Sequence, residues 1–112
     1  MAQLTISTEM SPVTFIQLWT FPSQENQKQF IHTMRERFEI MTRMPGFIAM
    51  ALHPDLDGTH AVVYAQWQSQ EEYESGINDP RAKQGHSALA QWGACSGNLY
   101  RVDTIFLPPA IS

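Results

Sequence analysis

The side chains able to do chemistry in this 112-residue chain are few and scattered. Four histidines, His32, His53, His60 and His86, are of the type that carries protons near neutral pH. They show no metal-ligand spacing, so neither a zinc nor an iron site is expected. His32 and His60 read as surface or structural residues. His53 ends an apolar run just before Pro54, where a turn histidine is the ordinary reading. His86 is flanked by Gly85, Ser87 and Ala88, small neighbours that leave room for a flat ligand. One cysteine, Cys95, excludes an internal disulfide and fits a reducing compartment. With no base close to it in sequence, it reads as a small buried or half-buried residue, not a nucleophile. Trp67 and Tyr73 each combine a large apolar ring with one hydrogen-bond donor. Met34, Met41 and Met50 read as adaptable core filler.

Composition narrows the partners. The net charge is −4 and the charged share 16%, and Arg35, Arg37 and Arg43 are interleaved with Glu36 and Glu39. Without a basic stripe, nucleic acid is not an expected partner. No apolar run reaches membrane-spanning length, and Met1–Ser11 lacks the charged start and apolar run of a secretory leader, so a cytoplasmic location is expected. A low charged share favours burying some surface in an oligomer.

The elements that must position these side chains follow from period and punctuation. Val13–Thr20 is β-branched and aromatic, and predicts a strand with Val13, Phe15, Gln17 and Trp19 on one face and Thr14, Ile16 and Leu18 on the other. Ser23 is a helix N-cap, and Gln27, Phe30, Ile31, Met34, Phe38 and Met41 recur at helical spacing to about Arg43, where Pro45-Gly46 stops the helix. Phe47–His53 and Thr59–Trp67 predict a hairpin closed by Asp57-Gly58. Ser69 and Glu72 form a capping box for a short helix, and Asp79-Pro80 starts another that runs to about Trp92. Gly93 and Gly97 end it, and Leu99–Phe106 is the expected last strand. The ends, 1–12 and 107–112, are expected to be extended or loose. The order β-α-β-β-α-β predicts one α+β domain over 1–112, core about 13–107, of the ferredoxin-like split βαβ kind. Apolar residues on both strand faces call for cover on both, and a second copy of the chain is the economical source, giving a homodimer.

Pro45-Gly46-Phe47, His53, Asp57-Gly58-Thr59, Tyr64-Ala65-Gln66-Trp67-x-Ser69, Tyr73 and Asp79-Pro80-Arg81, with the earlier Thr20-Phe21-Pro22, resemble the antibiotic-biosynthesis monooxygenase family, in particular its small cofactor-free oxygenases of polyketide pathways. The resemblance implies a dimeric α+β barrel with a pocket between sheet and helices. It implies His53, Trp67 and Tyr73 as pocket-lining residues; the site expected here has His53, Tyr73 and His86 as catalytic residues, and Trp67, Val63 and Tyr64 as substrate-binding ones. The implied reaction oxidises a phenolic anthrone or quinol to a quinone with molecular oxygen and no cofactor. The chemistry is sound, because a deprotonated phenol of this kind is itself electron-rich enough to reduce oxygen. The protein need supply only a dry aromatic slot and proton transfers.

Two positions depart from that pattern. Val63 stands where the resembling oxygenases carry asparagine, and His86 where they carry arginine. Valine donates no hydrogen bond, and one lost oriented donor removes roughly 2.7–4 kcal/mol of transition-state stabilisation. Two alternatives therefore stay open. One is haem binding or degradation, because haem-degrading members of the superfamily place a ligand histidine on the helix where His86 falls. Trp19 and Gly76, however, stand near the positions of their asparagine and tryptophan. The other is a non-enzymatic small-molecule binding module.

Overall fold

The computed structural model describes residues 4–7 and 12–110. The remaining end residues expected to be extended, 1–3, 8–11 and 111–112, lie outside the described residues. The chain runs β1 (Val13–Thr20), α1 (Gln24–Arg37), a 3-10 turn (Glu39–Arg43), β2 (Phe47–Pro54), β3 (His60–Trp67), α2 (Gln70–Ile77), α3 (Pro80–Ala90) and β4 (Ala94–Tyr100). The strands form a four-stranded sheet in the order β2-β3-β1-β4, all neighbours antiparallel. Each βαβ unit is thus split by a strand of the other, the α+β ferredoxin-like arrangement that the element order predicts.

Register sorts the side chains. Phe15 pairs with Ala65, Gln17 with Val63 and Trp19 with Ala61, so these share the helix-facing side of the sheet with Met50 and Leu52, the partners of Ala65 and Val63 on β2. Ile16, Leu18, Val62 and Tyr64 alternate onto the other side. A bulge between Phe47 and Ala49 lets Phe47 meet Trp67 without flipping the rest of β2. Under the helices the apolar side chains gather in two clusters. One holds Trp19, Phe21, Phe30 and Leu89, and the other holds Met41, Met44, Trp67 and Tyr73.

The helix starts follow their caps. Ser23 Oγ accepts from the Asn26 amide at 3.1 Å. Ser69 Oγ accepts from the Glu72 amide at 3.2 Å while its hydroxyl donates to Glu72 Oε1. Asp79 Oδ1 accepts from the Arg81 amide at 2.8 Å, with Pro80 opening α3. Two expectations shift. The first helix breaks at Phe38, after which the chain tightens to a 3-10 turn. The apolar pattern cannot reveal this break, because Phe38 and Met41 are three apart, a spacing both helix types place on one side. The last strand is Ala94–Tyr100 rather than Leu99–Phe106. Gly97 does not end a helix but lies within that strand as the partner of Gln17, where a Cβ would fall 2.8 Å from the Phe15 ring.

The β2–β3 hairpin is organised by one carboxylate. Asp55 Oδ1 accepts from the amides of Gly58, Thr59 and His60 at 2.9, 3.0 and 3.0 Å, and from Gln27 Nε2 of α1 at 3.1 Å. Gln27 also donates to the His60 carbonyl at 2.9 Å, locking the turn to the helix layer. Gly58 takes φ +81°, as the Asp57-Gly58 pair predicts. Loss of solvent pushes the Asp55 carboxyl up, but the donors of His60, Thr59 and Gly58 outweigh it and hold the group below the ordinary aspartate value. The carboxylate's contribution is therefore complete above the unfolded-chain value and is lost as pH falls through the lower folded one. Asp55→Ala is expected to lower the urea midpoint at about pH 7, with the difference from the parent shrinking progressively as pH falls below about 4, measured by urea unfolding across that range.

Candidate active site

Between the two apolar clusters the sheet and helices enclose a cavity of about 430 Å³, within the range of small-molecule sites. Its sheet wall is built from Phe15 and Gln17 of β1, Met50 of β2, and Val63, Ala65 and Trp67 of β3. The opposite wall is Met34 and Phe38, the 3-10 residue Met41, Tyr73 and Ile77 of α2, and the α3 face carrying Ala82, His86 and Leu89. Lys83 and Ser87 complete the rim. The space exists because β3 presents small side chains, Ala61, Val63 and Ala65, between the bulkier groups at either end.

One end of the cavity is closed by Trp67, 1% exposed. Phe47 meets its ring edge-on at 5.4 Å and Tyr73 at 6.1 Å, and Phe15 stacks tilted on Tyr73 at 4.9 Å. Aromatic pairs of this kind contribute roughly 0.5–1.5 kcal/mol each beyond burial. Tyr73 sits on α2 one turn past the Ser69 cap, which fixes the helix entry. Burial, then the neighbouring Glu74 carboxylate, pushes its phenol above the ordinary tyrosine value, so at neutral pH it is a donor. At the other end His86, on the exposed flank of α3, lies 5.8 Å from the Trp19 ring. Trp19 is itself held by Phe30 at 4.7 Å and Phe21 at 6.4 Å. The Trp19 indole N–H donates to Gln17 Oε1 at 3.2 Å.

The residues singled out in the sequence thus divide. Trp67, Tyr73, His86 and Val63 meet at the cavity. His53 and Tyr64 do not line it. His53 pairs with Val62 and Tyr64 with Ile16, which puts both on the far side of the sheet. Gln17, Phe15 and Phe38 also line the cavity, although nothing in the resemblance singles them out. Gln17 carried a usable signal, since it is the one polar residue on a strand face that otherwise reads Val13, Phe15 and Trp19. Cys95, expected to be buried or half-buried, is exposed on the edge strand β4. What burial it has pushes its thiol up, away from the thiolate. Among the described residues no group of three or more His, Cys, Asp or Glu side chains could hold a metal ion.

Trp67 depends on the absence of a side chain at Gly76, where a Cβ would fall 2.4 Å from the indole Cη2. Gly76→Ala is expected to push the ring into the cavity, weakening binding of a flat aromatic ligand by at least about tenfold and lowering stability by about 1–3 kcal/mol, as overpacking does. Fluorescence titration with an anthraquinone and urea unfolding read the two effects.

Residues 12–88 match the model of the family described as antibiotic biosynthesis monooxygenase. Over 77 residues, 69% of each chain, the sequence is 27% identical to tetracenomycin-F1 monooxygenase of Streptomyces glaucescens. The fold is shared with SnoaB, a cofactor-independent oxygenase from Streptomyces nogalater, at a TM-score of 0.77 and 19% identity, covering 85% of this chain and 96% of that one. It is shared also with the monooxygenase from the gene ActVA-Orf6 of Streptomyces coelicolor, solved with nanaomycin D, at a TM-score of 0.78 and 23% identity, covering 88% and 94%. Because the family model matches more than half of this chain, the chain belongs to the antibiotic biosynthesis monooxygenase family.

Proposed function

We propose that the protein is a cofactor-independent monooxygenase that oxidises a hydroxylated polycyclic aromatic, of the anthrone or quinol type, to a quinone with molecular oxygen. The observation that carries this reading is the cavity itself, an apolar slot walled by Trp67, Tyr73, Phe15 and Phe38 with a histidine at one end. Its likeness to tetracenomycin-F1 monooxygenase, to a cofactor-independent oxygenase and to a monooxygenase solved with nanaomycin D supports the same class of substrate.

The chemistry needs little from the protein. The ring methylene of an anthrone loses a proton to give a resonance-stabilised carbanion. The carbanion passes an electron to dioxygen, and recombination makes a C–O bond and a peroxide anion. Protonation of the peroxide and loss of the second methylene proton break the O–O bond, leaving a quinone carbonyl and water. In this scheme His86 takes the first proton and returns it to the peroxide, the task an imidazole suits. Tyr73, held as a phenol, donates to a ring oxygen. Trp67 and Phe15 orient the plane of the substrate, and the apolar wall keeps bulk water from the carbanion.

The working unit is a homodimer. Leu18 is 54% exposed on the outer sheet face, with Ile16, Val62 and Tyr64 beside it, and Phe106 beyond β4 is 91% exposed. A second copy covering that face would bury them and close the barrel. Among the described residues no helix is long and apolar enough to cross a membrane, and we place the dimer in the cytoplasm.

Two tests follow. Purified protein should accelerate oxygen uptake by a phenolic anthrone, with His86→Ala and Tyr73→Phe each lowering the rate by about 10²-fold. No uptake across a panel of anthrones and hydroquinones would refute the assignment. Sedimentation should give twice the monomer mass, and Leu18→Glu should shift the protein to monomer at micromolar concentration.

A further inference from the structure

Val63 gives the cavity no hydrogen-bond donor, but its neighbour does. Gln17 on β1 is the direct Cα partner of Val63 on the same helix-facing side of the sheet, and it lines the cavity. On its other flank its partner is Gly97 of β4, which has no side chain to cover it. The orientation of its amide is dictated from within the core. The Trp19 indole N–H, which can only donate, points at Gln17 Oε1 at 3.2 Å, and Trp19 is 1% exposed and wedged against Phe30. The oxygen is therefore taken, and the amide nitrogen is the free end. Gln17 Nε2 makes no hydrogen bond among the described residues. A fixed donor of no net charge, set among apolar side chains, fits a ligand oxygen that carries or develops negative charge. Both Gln17 and His86 contact Trp19, so the donor and the imidazole serve the same end of the slot.

We propose that Gln17, oriented by Trp19, binds the ring oxygen on which negative charge rests when the substrate is deprotonated. The amide thereby supplies from β1 the donor that Val63 cannot supply from β3. Resting on the function proposed above, this makes Gln17 an oxyanion-binding residue and limits substrates to those with an oxygen at that end of the ring system.

The probe is 2-hydroxyanthraquinone, a flat hydroxyquinone whose anion absorbs at longer wavelength than its neutral form. Bound to the parent protein, its hydroxyl should titrate below its value in solution. Gln17→Glu keeps an acceptor for Trp19 and places an anion at the site. It should raise the bound dye's pKa and lower kcat/KM for the anthrone by about 10²-fold, with the urea midpoint close to that of the parent. Gln17→Leu should weaken binding of the dye anion about ten- to a hundredfold, and adding Val63→Asn to that variant should restore part of it by returning a donor across the strand pair. If the parent binds the dye and takes up oxygen while both Gln17 variants leave the bound pKa unchanged, this inference alone is overturned. If the parent neither binds the dye nor takes up oxygen, the function proposed above falls with it.

Discussion

Two aromatic clusters hold the sheet and the helix layer apart, and everything else in the site depends on that separation. Trp19 with Phe21 and Phe30 stands at one end, and Trp67 with Phe47 and Tyr73 at the other. Between them β3 contributes only Ala61, Val63 and Ala65, and α3 sets the small Ala82 and Gly85 beside His86 and Leu89. Large side chains at the ends set the layer spacing, and small ones in the middle leave it unfilled. A well-packed core would close such a void, since dispersion is lost wherever atoms lack partners. Here the rigid rings, edge-to-face and tilted, resist that collapse. The slot is thus a product of where bulk has been placed in the core, not of a loop folded over a surface.

Polar groups are used sparingly against this apolar frame. The Asp55 carboxylate gathers three backbone amides and Gln27, so its charge goes to the hairpin and not to the cavity. The Trp92 indole is tied to Thr33 and its carbonyl to Asn26, closing the end of α3 onto α1. What is left for a ligand is a short set: the Tyr73 phenol, the His86 imidazole, the Gln17 amide and, at the rim, Lys83 and Ser87. A few separated polar groups in an apolar wall discriminate by position, because a ligand oxygen set where no donor stands is left unpaired.

Much of this was legible in the residues. β1 could be read end to end because it is rich in β-branched and aromatic residues and Pro22 follows it, and Ser23, Ser69 and Asp79 announced their helices through short-range hydrogen bonds that need no tertiary context. The break at Phe38 could not be read, since the apolar spacing is the same on both sides of it. Nor could β4, whose sequence Ala-Cys-Ser-Gly-Asn-Leu-Tyr carries no strand pattern and is held by pairing with β1. The site divides on the same line. Trp67 and Val63 share a strand face that alternation reveals, whereas the side of the sheet to which His53 belongs is set by the pairing of β2 with β3. The Phe47–Ala49 bulge shifts that register, and no local pattern encodes a bulge.

Met34, Met41 and Met50 all reach the slot wall. Unbranched thioethers conform to whatever lies against them, so the shape of the slot is fixed at its aromatic ends and pliable along its flank. A family scaffold of this kind can be retuned to new ring systems by exchanging single flank residues while strands and caps stay as they are. The same sulfur atoms are the oxidisable part of the lining. Conversion to sulfoxide would turn a compliant greasy flank polar, so the wall that adapts most readily to a guest is also the first to age in the presence of peroxide.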